Sequence, residues 1–197
     1  EELELGAAIG TWALHQACGD AVQWIRQGID LRQVAVNIAA GHWHGGELYD
    51  TLRQVLRASQ LPPSRLAIEL TEDMMHADPD AALGQLERIA MLGVRIVIDD
   101  FGSGHTSLSM IKRLPAHEIK VARAIIEALP GDKADMAIAR TIVTLGRSLG
   151  LTVVADGVSK PEQLLELSSL EYDQFQGDLY SKPVPADELA PLLHSTR

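Results

Sequence analysis

The stretch VRIVIDD, residues 94–100, decides the fold class of this chain. It is apolar and rich in β-branched residues until it ends in two carboxylates, a composition typical of a strand covered on both faces of a parallel sheet. Five further runs of the same kind occur along the chain, the last of them weaker. They span 34–38, 66–70, 118–121, 151–156 and 172–176. The sequence therefore predicts six strands of a parallel sheet.

Helical segments separate the predicted strands. Asp78 followed by Pro79 is a typical helix start, and the apolar spacing that follows it stops at Gly93. Asp132 can cap a second long helix, whose apolar stripe ends at Gly150. Two more helices are predicted, at 48–58 and at 161–167. Because strands and helices alternate six times, the fold class is α/β.

Polar side chains fall at or near the carboxyl ends of the predicted strands. They are Asn37, Glu69, Asp99, Asp100, Asp156 and Gln176. A doubly wound sheet and a (β/α) barrel both fit the alternation of elements, and periodicity does not separate the two. In a barrel the carboxyl ends of the strands meet at one face, and that face is where such folds do chemistry. The placement of the polar residues therefore favours a barrel.

Charged side chains on apolar strands need partners. Asp99 and Asp100 would be costly to bury unpaired, and Glu69 between apolar neighbours calls for a metal ion or a positive group. Lys120 lies between two apolar residues and is expected to pair with an acid. Structural explanations also exist, since one aspartate can cap a turn and a lysine pair can serve the fold alone. Local sequence leaves these alternatives open.

The composition of the chain excludes several functions. The formal net charge of −10 opposes binding along a nucleic-acid backbone, which requires clustered Lys and Arg, so no DNA partner is expected. A small phosphate-bearing ligand stays compatible with an acidic site, because a bound divalent metal can reverse the local charge. No apolar stretch reaches the roughly 20 residues that a membrane span needs. No Gly-x-Ser-x-Gly elbow of a serine hydrolase is present.

Length, cysteine and histidine content bear on the organisation of the chain. Residues 1–197 suit one domain better than two. The lone Cys18 excludes a disulfide framework, indicates a reducing cytoplasmic compartment, and is expected to pack in the core. That compartment also fits the cytoplasmic part of a larger, membrane-linked protein. His42 and His44 follow the first strand in a Gly-rich segment and are interpreted as exposed loop residues, not as metal ligands.

Taken together, the motifs resemble the ordered signature of the EAL domain family. They are VNIA with Asn37, ELTE at 69–72, DDFGSG at 99–104, IKV with Lys120, ADGV with Asp156, and QG at 176–177 followed by SKP at 181–183. Each motif alone is weak, but their order and approximate spacing match from the first residue nearly to the last. The chain is therefore identified as a single EAL-type domain over residues 1–197.

This resemblance implies a modified (β/α) TIM-like barrel that binds two Mg²⁺ or Mn²⁺ ions and cleaves cyclic di-GMP to the linear dinucleotide. In the family pattern, Asn37 and Glu69 would hold one metal. Asp100 would hold the other, and Asp99 would bridge the two.

The resemblance also implies roles around the metals. Lys120 and Gln176 would position the attacking water, and Asp156 stands in the place of the general base. Glu72 would brace the loop from Asp100 to Ser107. Two adjacent cations would lower the pKa of the water and stabilise charge on the phosphate oxygens, so the set is chemically coherent.

The chain also departs from the family pattern. The Glu-Ala-Leu motif belongs to a strand hairpin expected before Glu1, and it carries one metal-binding carboxylate. Asp156 replaces a glutamate, which withdraws the carboxylate by on the order of 1 Å, and such a misplacement can cost about 10²-fold in rate. Ser159 replaces a second carboxylate, and Ala122 a commonly acidic residue. These changes weaken water activation more than nucleotide contact.

Three functions are consistent with this pattern. The first is a cyclic di-GMP-binding domain with weak or absent phosphodiesterase activity, acting in bacterial second-messenger signalling. The second is an active metal-dependent phosphodiesterase, and the third is a protein-interaction module without a nucleotide. For all three, a homodimer or a larger multidomain protein is expected.

Overall fold

The computed structural model of the chain describes residues 2–104 and 108–194. The helices are α1 (Glu2–Arg26), α2 (Ala40–His44), α3 (Leu48–Ser59), α4 (Pro79–Ala90), α5 (Leu108–Ile111), α6 (Arg123–Glu127), α7 (Lys133–Leu149), α8 (Pro161–Ser169) and α9 (Ala186–His194). The strands are β1 (Val34–Asn37), β2 (Leu66–Thr71), β3 (Arg95–Phe101), β4 (Glu118–Val121), β5 (Thr152–Ala155) and β6 (Gln174–Phe175). The predicted α/β alternation is confirmed.

Residue contacts divide the chain into two compact units. The first unit takes in the described residues of Glu1–Leu70, Asp80–Ile96 and Val184–Arg197. The second unit takes in those of Thr71–Pro79 and Val97–Pro183. The single domain expected from the chain length stays a prediction.

In the first unit, β1 and β2 pair in parallel, and the register runs from Val34 opposite Leu66 to Asn37 opposite Glu69. The long helix α1 packs against β1, α2 and α3. Cys18 on this helix is fully buried, as predicted, and burial raises the pKa of its thiol to about 11. The thiol therefore behaves as a small apolar side chain.

His42 corrects the expectation of an exposed loop after β1. Residues 40–44 form the short helix α2, and His42 is only 2% exposed. The ring fits under α1 because Gly10 has no side chain, since a Cβ there would lie 2.7 Å from His42 Nδ1. Burial lowers the pKa of His42. The tertiary contact with a glycine 32 positions earlier thus overrides the local Gly-rich sequence.

In the second unit, β3, β4, β5 and β6 pair in that order, and every pairing is parallel. Helix α7 packs against β4 and β5. A Cβ at Gly146 on this helix would lie 2.3 Å from Val153 Cγ2, so the glycine allows the helix to approach the strand closely. All side chains of the stretch from Glu118 to Val121 are buried, as expected for a strand covered on both faces.

The predicted helix boundaries are largely confirmed. Asp132 caps α7 by accepting hydrogen bonds from the amides of Ala134 at 2.7 Å and Asp135 at 3.1 Å. Gly150 ends the helix in a left-handed conformation with a φ of +71°. Strand β6 is shorter than the predicted 172–176, because the Tyr172 amide donates to Leu167 O in the turn after α8. Within the described part of the chain, no helix combines the length and apolarity that crossing a bilayer requires.

Candidate functional site

In the first unit, Asn37 and Glu69 form a pair of oxygen donors. Asn37 is the last residue of β1 and lies opposite Glu69 in the parallel register. The amide of Ile38 donates to Glu69 O at 2.9 Å, which fixes the two strands where the side chains emerge. The Glu69 side chain is buried, whereas Asn37 is exposed. A carboxylate and an amide oxygen are thus neighbours on adjacent strands.

In the second unit, Asp99 and Asp100 lie at an irregularity of the sheet. The pairing of β3 with β4 shifts register between Ile98 and Phe101, so the two aspartates interrupt the regular ladder. Asp100 adopts a left-handed backbone with a φ of +56°, a conformation that aspartate tolerates better than most residues. Irregularities of this kind re-aim side chains next to active sites. Here neither of the two successive aspartates is buried, unlike the three residues of β3 before them.

Hydrogen bonds hold the segment after Asp100 in place. Ser103 Oγ donates to the carbonyl oxygen of Asp100 at 2.7 Å and to its Oδ2 at 2.9 Å. The Asp100 amide donates to Asp99 Oδ1 at 2.9 Å. Hydrogen bonds within residues 99–103 thus fix the start of the loop after β3.

Lys120 pairs with an acid, as its buried position on β4 predicts. Its Nζ lies 3.5 Å from Asp99 Oδ1, and the lysine side chain is 5% exposed whereas the aspartate side chain is 21% exposed. The Lys120 ammonium thus extends from a buried strand to the more exposed carboxylate of Asp99. This arrangement places a fixed positive charge beside Asp99.

Glu72 anchors the loop that follows β3. This buried glutamate accepts a hydrogen bond from the Gly104 amide at 2.9 Å through Oε2. A Cβ at Gly104 would lie 2.6 Å from the same oxygen, so the glycine is needed for the approach. The rest of the loop expected to be braced, residues 105–107, lies outside the described residues.

Asp156 and Gln176 follow β5 and β6 and are joined through the backbone. The Gln176 amide donates to Ala155 O at 2.8 Å, and the Val158 amide donates to Gln176 O at 3.0 Å. A Cβ at Gly177 would lie 2.2 Å from Val158 O. The backbones that follow the two strands are therefore in direct contact. Asp156 lies in this segment and is partly exposed.

Two residues that sequence reasoning missed support the same segment. Arg123, at the start of α6, lies over Gly157, and its Nε donates to Glu127 Oε1 at 2.6 Å. Gln163 is buried and accepts hydrogen bonds from the amides of Ser159 and Lys160, both at 2.9 Å. No local sequence signal identifies either contact, because each joins separate elements. The position of Arg123 three residues after Lys120, at the same strand end, is the nearest available clue.

The donor set suits a hard divalent cation. Within residues 2–104 and 108–194, no group of three or more His, Cys, Asp or Glu side chains is placed to hold a metal ion. The candidate donors instead come as the Asn37–Glu69 pair in one unit and the Asp99–Asp100 pair in the other. Mg²⁺ is commonly held by one or two carboxylates together with waters and substrate phosphates. Oxygen donors in pairs therefore fit Mg²⁺ or Mn²⁺, and the rest of the coordination would come from water and ligand.

Comparison with known proteins places this geometry in context. The family description "EAL domain" matches residues 1–183. The bifunctional diguanylate cyclase/cyclic di-GMP phosphodiesterase MucR of Pseudomonas aeruginosa is 41% identical over 96% of this chain and 28% of its own length. The cyclic di-GMP phosphodiesterase NbdA of the same organism is 37% identical over 94% of this chain and 24% of its own length. The chain thus spans about a quarter of each of these relatives.

Solved structures match the fold closely. The MucR phosphodiesterase in complex with c-di-GMP superposes with a TM-score of 0.92 and 41% identity, covering 96% of this chain and 76% of that one. Klebsiella pneumoniae BlrP1, in a complex with manganese and cyclic di-GMP, gives a TM-score of 0.77 and 29% identity over 90% of this chain and 45% of that one. The predicted fold of the modified (β/α) barrel type is therefore confirmed.

Proposed function

Because the chain belongs to the EAL domain family, we propose that it binds cyclic di-GMP and hydrolyses this ligand slowly or not at all. MucR, which is 41% identical, is a cyclic di-GMP phosphodiesterase by name, and its solved structure holds that ligand. The shared family supports binding, and the residues of this chain support weak turnover.

One observation carries the proposal: Asp99, Asp100 and Lys120 keep an organised arrangement, while the base position holds the short Asp156. The lysine contacts Asp99, Asp100 adopts its left-handed conformation, and Glu72 holds the following loop. Ligand binding depends on this framework. Turnover depends in addition on a carboxylate that reaches the attacking water.

We assign metal binding to the two donor pairs. Asn37 and Glu69 would bind one divalent ion, and Asp99 and Asp100 would bind another, either Mg²⁺ or Mn²⁺. When bound, such ions would lower the pKa of a coordinated water and stabilise charge on the phosphate oxygens. The Lys120 ammonium would limit the repulsion between the carboxylates, because it faces Asp99 at 3.5 Å.

The second unit would provide the groups that handle the water. Lys120 and Gln176 would orient it, and Asp156 would accept its proton. Aspartate is one methylene shorter than the glutamate of the family pattern, so its oxygens stop on the order of 1 Å short, a distance that can cost about 10²-fold in rate. Ser159 and Ala122 offer no carboxylate to compensate for this shortfall. The expected outcome is binding without efficient turnover.

Calorimetry with cyclic di-GMP, combined with chromatographic analysis of products in Mg²⁺ and in Mn²⁺, tests the proposal. Metal-dependent binding with little linear dinucleotide after long incubation is the expected result. Rapid production of the linear dinucleotide would refute the weak-turnover claim. Absence of any binding, with and without metal, would refute the ligand and favour a protein-interaction module instead.

The same framework also fits an active phosphodiesterase, which is the second candidate function. The observation in its favour is the tight packing of the Asp156 segment against Gln176 and Gly177, which could bring a shorter carboxylate within reach. Asp156→Glu separates the two functions. If Asp156 is defective, the longer side chain raises the hydrolysis rate by about 10-fold to 100-fold. If Asp156 is competent, the rate changes little.

A further inference from the structure

Arg123 covers the turn that carries Asp156. Gly157 has a φ of +81°, and a Cβ added there would lie 2.5 Å from Cγ and 3.2 Å from Nε of Arg123. The aliphatic part of the arginine therefore occupies the space directly over the glycine backbone. Only a residue without a side chain allows both the left-handed turn and this close contact.

One carboxylate contacts Arg123 directly, and two more act on it through their charges. Glu127 on α6 accepts a hydrogen bond from Nε at 2.6 Å, and this contact is the largest cause of the raised pKa of Arg123. Asp156 after β5 and Asp178 after β6 raise the pKa of Arg123 further through their charges. The side chain thus joins α6 electrostatically to the ends of two strands.

A second contact ties α6 to the same segment. The Gln163 side chain donates from Nε2 to Ile126 O at 2.9 Å, and its Oε1 accepts from the amides of Ser159 and Lys160. Val158 is fixed by backbone hydrogen bonds to Gln176 and from Leu179. The segment is therefore held by hydrogen bonds from Val158 onward, and Arg123 covers the turn at Gly157 before them.

We propose that Arg123 is a positioning residue for Asp156: by packing on Gly157, the next residue along the chain, it fixes where the Asp156 carboxylate lies. The inference rests on the proposed function, in which Asp156 accepts a proton from water. A short side chain has few rotamers with which to correct a displaced backbone, so the position of the turn decides what Asp156 can reach.

Amide hydrogen exchange of the whole chain, without ligand, tests the positioning role directly. Arg123→Ala is expected to speed exchange over residues 156–160 by about tenfold, because the turn loses its cover. Arg123→Lys keeps an aliphatic chain and the charge, and should stay within about twofold of the unchanged protein. The matched control Glu127→Gln removes the ion pair but keeps the guanidinium, and it should also stay within about twofold. Unchanged exchange in Arg123→Ala would overturn the inference, whether or not the ligand binds.

A functional measurement separates positioning from ligand contact. In Mn²⁺ with enzyme in excess, Arg123→Ala should lower the hydrolysis rate by about tenfold, and Arg123→Lys should recover it. The calorimetric affinity for cyclic di-GMP should stay within about twofold, and Asp156→Asn should abolish the effect of Arg123→Ala on the rate. An equal loss of affinity and rate would make Arg123 a ligand contact and overturn the positioning role. If the unchanged protein binds no cyclic di-GMP, the proposed function fails, and the exchange experiment still decides the inference.

Discussion

The loop after β3 and the loop after β5 are held in different ways. The first is anchored by a buried side chain, since Glu72 accepts a hydrogen bond from Gly104, and it carries the acidic pair of the family pattern. The second is packed by backbone contacts with residues 176–179 and is covered by Arg123, and it carries the departures Asp156 and Ser159. Both loops are braced, and the departures from the predicted family pattern at positions 156 and 159 lie in the second loop.

Under the proposed function, the loops of one sheet would keep their bracing while the chemistry of one of them changes. Bracing depends on glycines, backbone amides and a few buried polar groups, and all of these are present in both loops. Reactivity depends on the length of individual side chains, which can change without disturbing the brace. A chain of this kind should therefore retain ligand binding when its catalytic activity is reduced.

The largest effect on stability is expected from Gly177→Ala, which disrupts the backbone packing of the loop after β5. The new Cβ would lie 2.2 Å from Val158 O, so the backbone must move, and we expect a loss of about 3 to 5 kcal/mol in the free energy of unfolding. Chemical denaturation measures this loss.

Gly150→Ala is the matched control for that substitution. Gly150 also has a positive φ, but an added Cβ would meet nothing within 4 Å, so only the conformational cost of about 1 to 2 kcal/mol remains. Equal losses in the two variants would show that backbone packing does not distinguish the loop after β5.

Asp100→Asn tests the chemistry of the loop after β3 without disturbing its shape. Asparagine tolerates the left-handed conformation and can accept the hydrogen bond from Ser103, so only the charge is lost. Metal-dependent affinity for cyclic di-GMP should fall by about 100-fold, or about 2.7 kcal/mol. Asp135→Asn on α7 makes the same chemical change and should leave the calorimetric affinity unaltered.

Glu72→Ala removes the side-chain anchor of the loop after β3. A hydrogen bond to a charged acceptor contributes about 1.5 to 3 kcal/mol, so a loss of that size is expected in denaturant unfolding. Glu72→Gln keeps an acceptor and should lose less. Hydrogen exchange should accelerate around Gly104 and stay unchanged at residues 156–160. Acceleration in both places would mean that the two loops are not braced separately.

Ser159→Glu should have the smallest effect on stability. The side chain is exposed, and the Ser159 amide keeps its hydrogen bond to Gln163, so the free energy of unfolding should change by less than about 0.5 kcal/mol. Hydrolysis should also change little while Asp156 remains short. A gain of more than about tenfold would identify the carboxylate missing at 159, rather than Asp156, as the limiting departure.

Local chemistry explains which features could be predicted from the sequence. Asp132 as a helix cap, Gly150 as a helix end and a charged partner for Lys120 follow from the needs of a helix terminus and a buried ammonium. All three are confirmed. The six strands were predicted for the same reason, since their apolar runs are distinctive within a few residues.

The remaining features depend on contacts between distant residues. Burial of His42 requires Gly10 on another helix, and the contacts of Arg123 and Gln163 join α6 to a loop more than 30 residues away. The left-handed conformation of Asp100 occurs where the pairing of β3 with β4 shifts register. None of these is encoded in a short window of sequence, so pattern reasoning could not find them. The assignment of metal ligands stays a prediction.

The buried thiol of Cys18 offers a practical consequence. With its pKa raised to about 11 by burial, only about one molecule in ten thousand carries a thiolate at neutral pH. Alkylating reagents attack the thiolate, and they must also reach a fully covered sulfur. A maleimide or iodoacetamide should therefore react only when α1 detaches. The alkylation rate of this single cysteine should therefore report how often the helix opens, and no probe needs to be introduced.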